Sequence, residues 1–416
     1  MGSMITLGLG KMEIDWGKNN VFRDHSSLFQ EKDVKPIPYY YVDIDTEKPI
    51  IEMKEGLAHK LSSVKARLDL LGYDLFSIKR LYNDSLEESE DFGFKIHFTF
   101  DDFYSTLTHI DVPNVNTPQI AVEYDENGYD LGEYVRKCIL EDSQIKANLP
   151  ISYFEKEPGE WCNPAYDLGV FFENIDPYII LRILAENPNN GDLEVQWRFA
   201  DDVDSGWSKR EEIVKPLSAK EKILIVTEGS SDSFVIKKAI DNLYPDIADF
   251  FDFVDMEENY PFTGVGNLFN FCLGLIRINI ENRIIVIFDN DTVGIEKYEL
   301  LSTINKPDSL LITKLPDFGE FLDIKTFGPQ GEARENINGK AVSIECFLDF
   351  ASVNQIPSIR WTSYNKKLDQ YQGELISKDN YVRVYKGCSL TDGSYNSSKL
   401  NYLIEYLLKQ WVCRRD

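Results

Sequence analysis

KILIVTEGSSD (Lys222–Asp232) and RIIVIFDND (Arg283–Asp291) decide the reading of this chain. Each begins as a run of branched apolar residues and stops at an acid. Short continuous apolar runs of this kind read as strands buried on both faces, the pattern of a parallel sheet. Between and after them, SDSFVIKKAIDNLY and GNLFNFCLGLIRIN read as helices, and FFDFVDM and SLLITKL as further strands. The alternation predicts an α/β fold with a mainly parallel sheet flanked by helices, in which ligands collect at the carboxyl ends of the strands. The acids stand at those ends.

In TEGSSD, Glu228 ends a strand, Gly229 allows a tight turn, Ser230 is placed to cap the next helix and Asp232 falls in its first turn. In FDND, Asp289 and Asp291 are two residues apart in extended chain and share a side, with Asn290 turned away. Clustered carboxylates repel unless they are protonated or bridged by cations. Hard oxygen ligands suit Mg²⁺ or Mn²⁺, which in turn suit phosphate oxygens. Taken singly the residues say less: Asp232 is also what a helix dipole favours, a strand-ending acid is commonly solvated, and DxD is a weak pattern. The combination, an EGxxD after one apolar strand and a DxD after another, carries the argument. Metal ligation is the role expected of these acids. Glu228 is alternatively a general acid or base if burial raises its pKa toward neutrality.

The first half has a different texture. MITLGLGKMEIDWG reads as a strand pair interrupted by glycines and PYYYVDID as an aromatic strand. From Glu52 onward Leu57, Leu61, Val64, Leu68 and Leu71 fall at helical spacing, with Gly72 as a stop. IHFTFDDFYSTLTHIDV mixes a strand with a short helix, YDLGEYVRKCILED and PYIILRILAEN read as helices, and LEVQWRFA has strand alternation. The polar stretch DDVDSGWSKREEIVKPLSAKEK reads as a linker. Two domains are expected: an α+β domain over 1–215 and an α/β domain over 216–416 that ends in a helical extension, where Leu400, Leu403, Ile404, Leu407 and Leu408 mark a terminal helix.

Composition limits the partners. With 70 acidic and 44 basic side chains the formal charge is −26, so the field of the whole chain repels a polyanion. Any nucleic-acid contact must then be local, made through bound metal, a partner, or a basic patch such as Lys366 and Lys367 near Arg360. No apolar run is long enough to span a bilayer, and no membrane partner is expected. The opening MGSMITLGLGKMEIDWGKNN lacks the apolar run of a secretory signal. The six cysteines are scattered without a CxxC, as for reduced thiols in a cytoplasm.

Over Lys222 to Phe350 the EGxxD and DxD pair resembles the Toprim domain of topoisomerases, bacterial primases, RecR-type repair proteins and OLD-type nucleases. GKAVSIECFLDF is similar to the later acidic segment of the OLD-type members, which implies Glu345 as a ligand completing a second metal site and Lys340 as a stabilising charge in the transition state. EIDWGKN (Glu13 to Asn19), DHSSLF (Asp24 to Phe29), ILAEN and WRFAD resemble the N-terminal domain that accompanies HEPN and Toprim domains in bacterial conflict and phage-defence proteins. No HEPN ribonuclease signature accompanies them: none of His25, His59, His97 or His109 follows an arginine at the required gap.

The resemblance implies a metal-dependent nuclease acting on DNA or RNA, with Glu228, Asp289, Asp291 and Lys340 catalytic and Glu228, Asp232, Asp289, Asp291 and Glu345 holding Mg²⁺ or Mn²⁺. Its further partners would be a defence-system protein or a second copy of the chain. Topoisomerase is disfavoured by the absence of a recognisable tyrosine-presenting companion domain, and primase by the absence of a zinc module. Two alternatives stay open. One is a non-catalytic regulatory protein that binds nucleic acid or a partner. The other is a haloacid-dehalogenase-type phosphatase, since FDNDTV fits DxDx[TV] with Asp289 as nucleophile.

Overall fold

A computed structural model describes residues 3–10, 12–42, 45–46, 49–91, 98–112, 129–130, 171–172, 174–254 and 264–415. The chain divides into two compact units, Met1–Leu217 and Ser218–Asp416.

In the first unit the strands are β1 (Met4–Leu9), β2 (Met12–Lys18), β3 (Val34–Val42), β4 (Pro49–Lys60), β5 (Tyr129–Asp130) and β6 (Glu194–Arg198). They form one sheet in the order β3-β4-β6-β1-β2-β5. Its helices are α1 (Leu61–Leu71), α2 (Leu75–Asp91), α3 (Phe100–Thr108), α4 (Pro177–Leu184) and the short α5 (Ala200–Asp204) and α6 (Arg210–Ile213). The apolar stripes of α1, α2, α3 and α4 join Ile5, Leu7, Leu9 and Trp197 from the strands in a single core. Three of the quoted segments meet at this core: His25 of DHSSLF bonds Asp15 of EIDWGKN at 2.8 Å, and its ring lies 5.4 Å from that of Trp197 in WRFAD.

Three expectations change here. Leu57 belongs to strand β4, and the helix starts only at Leu61. Helical spacing extends back through Leu57, but this stretch is laddered on both sides, to β3 and to β6. Gly56 lies so close to β3 that a Cβ there would meet the Ile37 side chain at 2.2 Å. Tertiary pairing therefore overrides local periodicity. Tyr129 and Asp130, read as the start of a helix, form a two-residue strand parallel to β2, and the rest of YDLGEYVRKCILED lies outside the described residues. In IHFTF, read as a strand, Phe98 and Thr99 belong to no strand and Phe100 opens α3, while Ile96 and His97 lie outside the described residues.

In the second unit β7 (Ile223–Val226), α7 (Ser230–Leu243), β8 (Phe251–Phe253), α8 (Val265–Arg277), β9 (Arg283–Phe288), β10 (Asn290–Asp291), α9 (Thr292–Ser302) and β11 (Leu310–Lys314) follow one another. The sheet β11-β9-β7-β8 is parallel throughout. Val226, Ile284, Val286, Phe288, Leu310 and Ile312 pack against Leu268, Cys272 and Leu275 of α8 and Leu301 of α9. The chain leaves β7 toward β8 on one side and leaves β9 toward β11 on the other, so the carboxyl ends of β7 and β9 flank a topological switch point, the usual ligand crevice of such sheets.

Beyond β11 the unit carries a second, mixed sheet that the sequence reading did not anticipate. It comprises β12 (Ile324–Gly328), β13 (Gly331–Glu335), β15 (Ser358–Asn365) and β16 (Gln370–Leu375), in the order β13-β12-β15-β16. The short β14 (Ala341–Val342) pairs with β10 instead. The extension after Phe350 is thus a hairpin followed by α10 (Lys378–Gly387) and α11 (Ser398–Val412), not helix alone; the expected terminal helix is α11, which packs on α7.

Two glycines calibrate the packing. Gly274 lies within α8 with open space where a Cβ would stand, whereas a Cβ on Gly294 in α9 would sit 2.3 Å from the Asp289 carbonyl oxygen. Gly274→Ala is expected to raise stability by about 1 kcal/mol through helix propensity. Gly294→Ala is expected to lower it by about 1–3 kcal/mol, because backbone must move. Thermal unfolding of the two variants beside the parent checks both signs.

Candidate metal centre

The site is built where β7 and β9 end. Glu228 follows β7 directly, and its carboxylate accepts the Asp289 backbone N–H at 3.0 Å, tying the two strand ends together. Gly229, extended, is the N-cap of α7, the place the sequence reading gave to Ser230. Asp232 folds back over the first turn to accept the Gly229 N–H at 3.0 Å. Asp291 caps α9, accepting from the N–H groups of Val293 at 3.0 Å and Gly294 at 2.7 Å. Two helix N-termini therefore face the acids, and their dipoles favour negative charge there.

Asn290, buried, has its own network: its amide donates to the exposed Asp317 at 2.6 Å and its carbonyl oxygen accepts from Lys314 at 3.1 Å. Behind Asp291, β14 brings the GKAVSIECF segment alongside FDND, Asp291 pairing with Ala341 and bridging to Lys340. That pairing delivers Glu345, which is 4% exposed in a 3-10 turn and receives the Ser343 hydroxyl at 2.6 Å. It is not on a solvated helix face. Lys340 is adjacent through its backbone, while the Glu335 carboxyl is held below its ordinary value by the Thr326 hydroxyl, the Trp361 indole and, least, the Lys340 ammonium.

The electrostatics make one group of residues from distant parts of the chain. Burial raises the Asp289 carboxyl well above its ordinary value, with added repulsion from Asp232, Glu228, Asp291 and Glu345. Glu228 is pushed up to about 7 by burial and by Asp291 and Asp232, against the Asp289 N–H. Asp232 is likewise pushed up to about 7, by burial and then by Glu345. Two further residues bear on the site that sequence reasoning missed: Lys378, whose charge opposes the rise at Asp232, and Gln372, whose amide donates to the Asp291 carboxylate. Neither has a local sequence signal, because Gln372 arrives on the second strand of a hairpin and Lys378 from beyond it.

Five carboxylates within electrostatic range are a donor set suited to hard divalent cations. They are not assembled as a cage: among the described residues, no three His, Cys, Asp or Glu side chains converge to hold an ion. The hydrogen bonds above explain the difference. Asp291 and Asp232 spend oxygens on helix N–H groups and Glu228 on Asp289, so mutual repulsion is relieved by these N–H donors and by held protons. The set fits a cation in charge and chemistry.

The profile of the family described as HEPN/Toprim N-terminal domain 1 matches residues 1–221. No curated protein matches, and no solved structure matches. No helix among the described residues is long and apolar enough to cross a membrane.

The raised carboxyls fix a sign for pH dependence. Their folded pKa values lie above the unfolded ones, so the metal-free fold gains stability that is complete below about pH 4 and is lost as pH rises through about 7. Thermal unfolding in EDTA should therefore show the midpoint falling between pH 5 and 8, with a smaller fall in Asp289→Asn. Mg²⁺ or Mn²⁺ at about 100 times its Kd should add about 2.7 kcal/mol at pH 8. A midpoint that rises with pH in EDTA would contradict the arrangement.

Proposed function

The chain belongs to the HEPN/Toprim N-terminal domain 1 family, and from that premise we propose that its second unit is a Toprim, OLD-like nuclease that hydrolyses phosphodiester bonds of DNA or RNA with Mg²⁺ or Mn²⁺, in the cytoplasm, in bacterial anti-phage defence. Family membership supports a nuclease-related role. The observation that carries the finer reading is the meeting of Glu228, Asp232, Asp289, Asp291 and Glu345, drawn from three separate segments, at the switch point between β7 and β9. An isolated solvated acid explains none of this mutual repulsion.

A bound divalent cation would supply an acidified water and neutralise charge on the leaving oxygen. The residues of the chain do the rest. Glu228, Asp289 and Asp291 would hold the cation, and Asp232 and Glu345, which repel each other, would hold a second. Lys340, one residue from the strand paired with Asp291, offers positive charge to the phosphate. Asp291 accepts the first N–H groups of α9, which places the positive end of that helix at the site. The first unit is read as a sensing, partner-binding or substrate-positioning domain, its partner a defence-system protein or another copy of the chain.

Purified protein incubated with plasmid, linear DNA and RNA in Mg²⁺ or Mn²⁺ is expected to cleave at least one of them. Glu228→Ala and Asp289→Ala should each lose about 100-fold or more, while circular dichroism shows them folded. Cleavage that persists in both variants, or none from the parent with any metal, would overturn the proposal.

A further inference from the structure

The hairpin β15–β16 carries a group of rings for which the fold of the unit has no need. Tyr364 and Tyr371 face each other across the hairpin, with ring centroids 4.9 Å apart, and Trp361 lies 6.1 Å from Tyr371. The stripe begins in the core and ends in solvent: Ile359 and Leu375 are buried, whereas Tyr364 is 45% and Tyr371 38% exposed. Trp361 is anchored from below, its indole N–H donating to Glu335 at 2.9 Å and its ring against Gly328 and Gly373, where a Cβ would meet it at 2.7 Å on either glycine. Aromatic area of this kind on a strand end is ordinarily covered.

The hairpin is also the locally basic part of an acidic chain. Residues 358–375 contain Arg360, Lys366 and Lys367 against Asp369 and Glu374, where the whole chain has 44 basic and 70 acidic groups. Lys367 is paired with Glu296 at 2.8 Å, and the Tyr364 hydroxyl donates to Asp369. Arg360 and Lys366 are exposed. The hairpin is fixed to the candidate metal centre: the Thr292 hydroxyl donates to the Tyr371 carbonyl at 3.0 Å, the Gly373 N–H to the Lys340 carbonyl at 3.2 Å, and Gln372 to the Asp291 carboxylate. Strand alternation puts Gln372 toward the carboxylates and Tyr371 on the opposite face, so rings and acids lie on the two sides of one strand.

We propose that Trp361, Tyr364 and Tyr371 form a stacking platform for unpaired bases, so that the nucleic acid engaged by this hairpin, across one strand from the carboxylates, is single-stranded. This rests on the nucleic-acid reading above and narrows it. A chain of charge −26 cannot rely on phosphate neutralisation for its grip, whereas base–aromatic stacking is indifferent to net charge. Every base has a π face, so the platform is tolerant of sequence. Bases in a duplex are already stacked on one another and are closed to it. Arg360 and Lys366 supply the local contacts to the backbone.

The test separates binding from cleavage. Fluorescence anisotropy of the full chain in EDTA is measured with a labelled single-stranded oligodeoxynucleotide, an oligoribonucleotide and a duplex of the same length. The single strands should bind more tightly than the duplex, with a shallow salt dependence. Tyr364→Ala and Tyr371→Ala should each weaken single-strand binding by about fivefold or more, Tyr→Phe at the same positions should retain it, and Trp207→Ala, an exposed ring of the other unit, should leave it unchanged. Equal affinity for the duplex, or alanine variants that bind like the parent, overturns the platform even if the protein cleaves. Ring-dependent single-strand binding without cleavage in any metal supports the platform and counts against the nuclease.

Discussion

The second unit turns on one hydrogen bond between strand ends, the Asp289 N–H to the Glu228 carboxylate. It exists because β7 and β9 are neighbours in a parallel sheet although helix, strand and helix separate them in sequence. Parallel neighbours end on the same side, so two acids that terminate apolar strands must share a crevice. Once they do, burial and mutual repulsion raise their pKa values together, and the fold carries an electrostatic strain that protons or cations relieve.

The surrounding elements moderate that strain rather than remove it. Two helix N-termini, the Gln372 amide and the charge of Lys378 each stabilise a carboxylate, and each is supplied by backbone geometry or by a segment that folds over the site from outside the parallel sheet. Gly294 is required for the same reason: its N–H must reach the Asp291 carboxylate while its α-carbon sits against the Asp289 carbonyl, leaving no room for a side chain. The short strand β14 and, from the second sheet, β16 are thus part of the site, since β14 delivers Glu345 and Lys340 and β16 delivers Gln372.

In the first unit the segments quoted for the resemblance are structural. Asp15, His25 and Trp197 meet in the interior, and Arg67, fully buried, is satisfied by the carbonyls of Ser27 at 2.9 Å and Phe29 at 3.0 Å. A buried guanidinium left without those acceptors would be costly, so the DHSSLF turn is held to one conformation. These residues hold the fold of the domain together.

The sequence by itself determined the local parts: buried strands ILIV and RIIVIF, the helices between them, Gly72 as the end of α1, and acids at the strand ends. Those follow from periodicity, capping and apolar runs, all of which act over a few residues. It misjudged Leu57, because helical spacing persists into a stretch that two neighbouring strands hold extended. It also read the region after Phe350 as helical, because IRWTSYN and QYQGEL lack the clean alternation of a half-buried hairpin when one face leaves the core partway along. Only the tertiary structure decided which strands are adjacent, that Glu345 comes inward from a 3-10 turn, and that Lys378 and Gln372 bear on the acids. Strand order and the burial of a charge depend on contacts between residues far apart in the chain, and no local pattern encodes those.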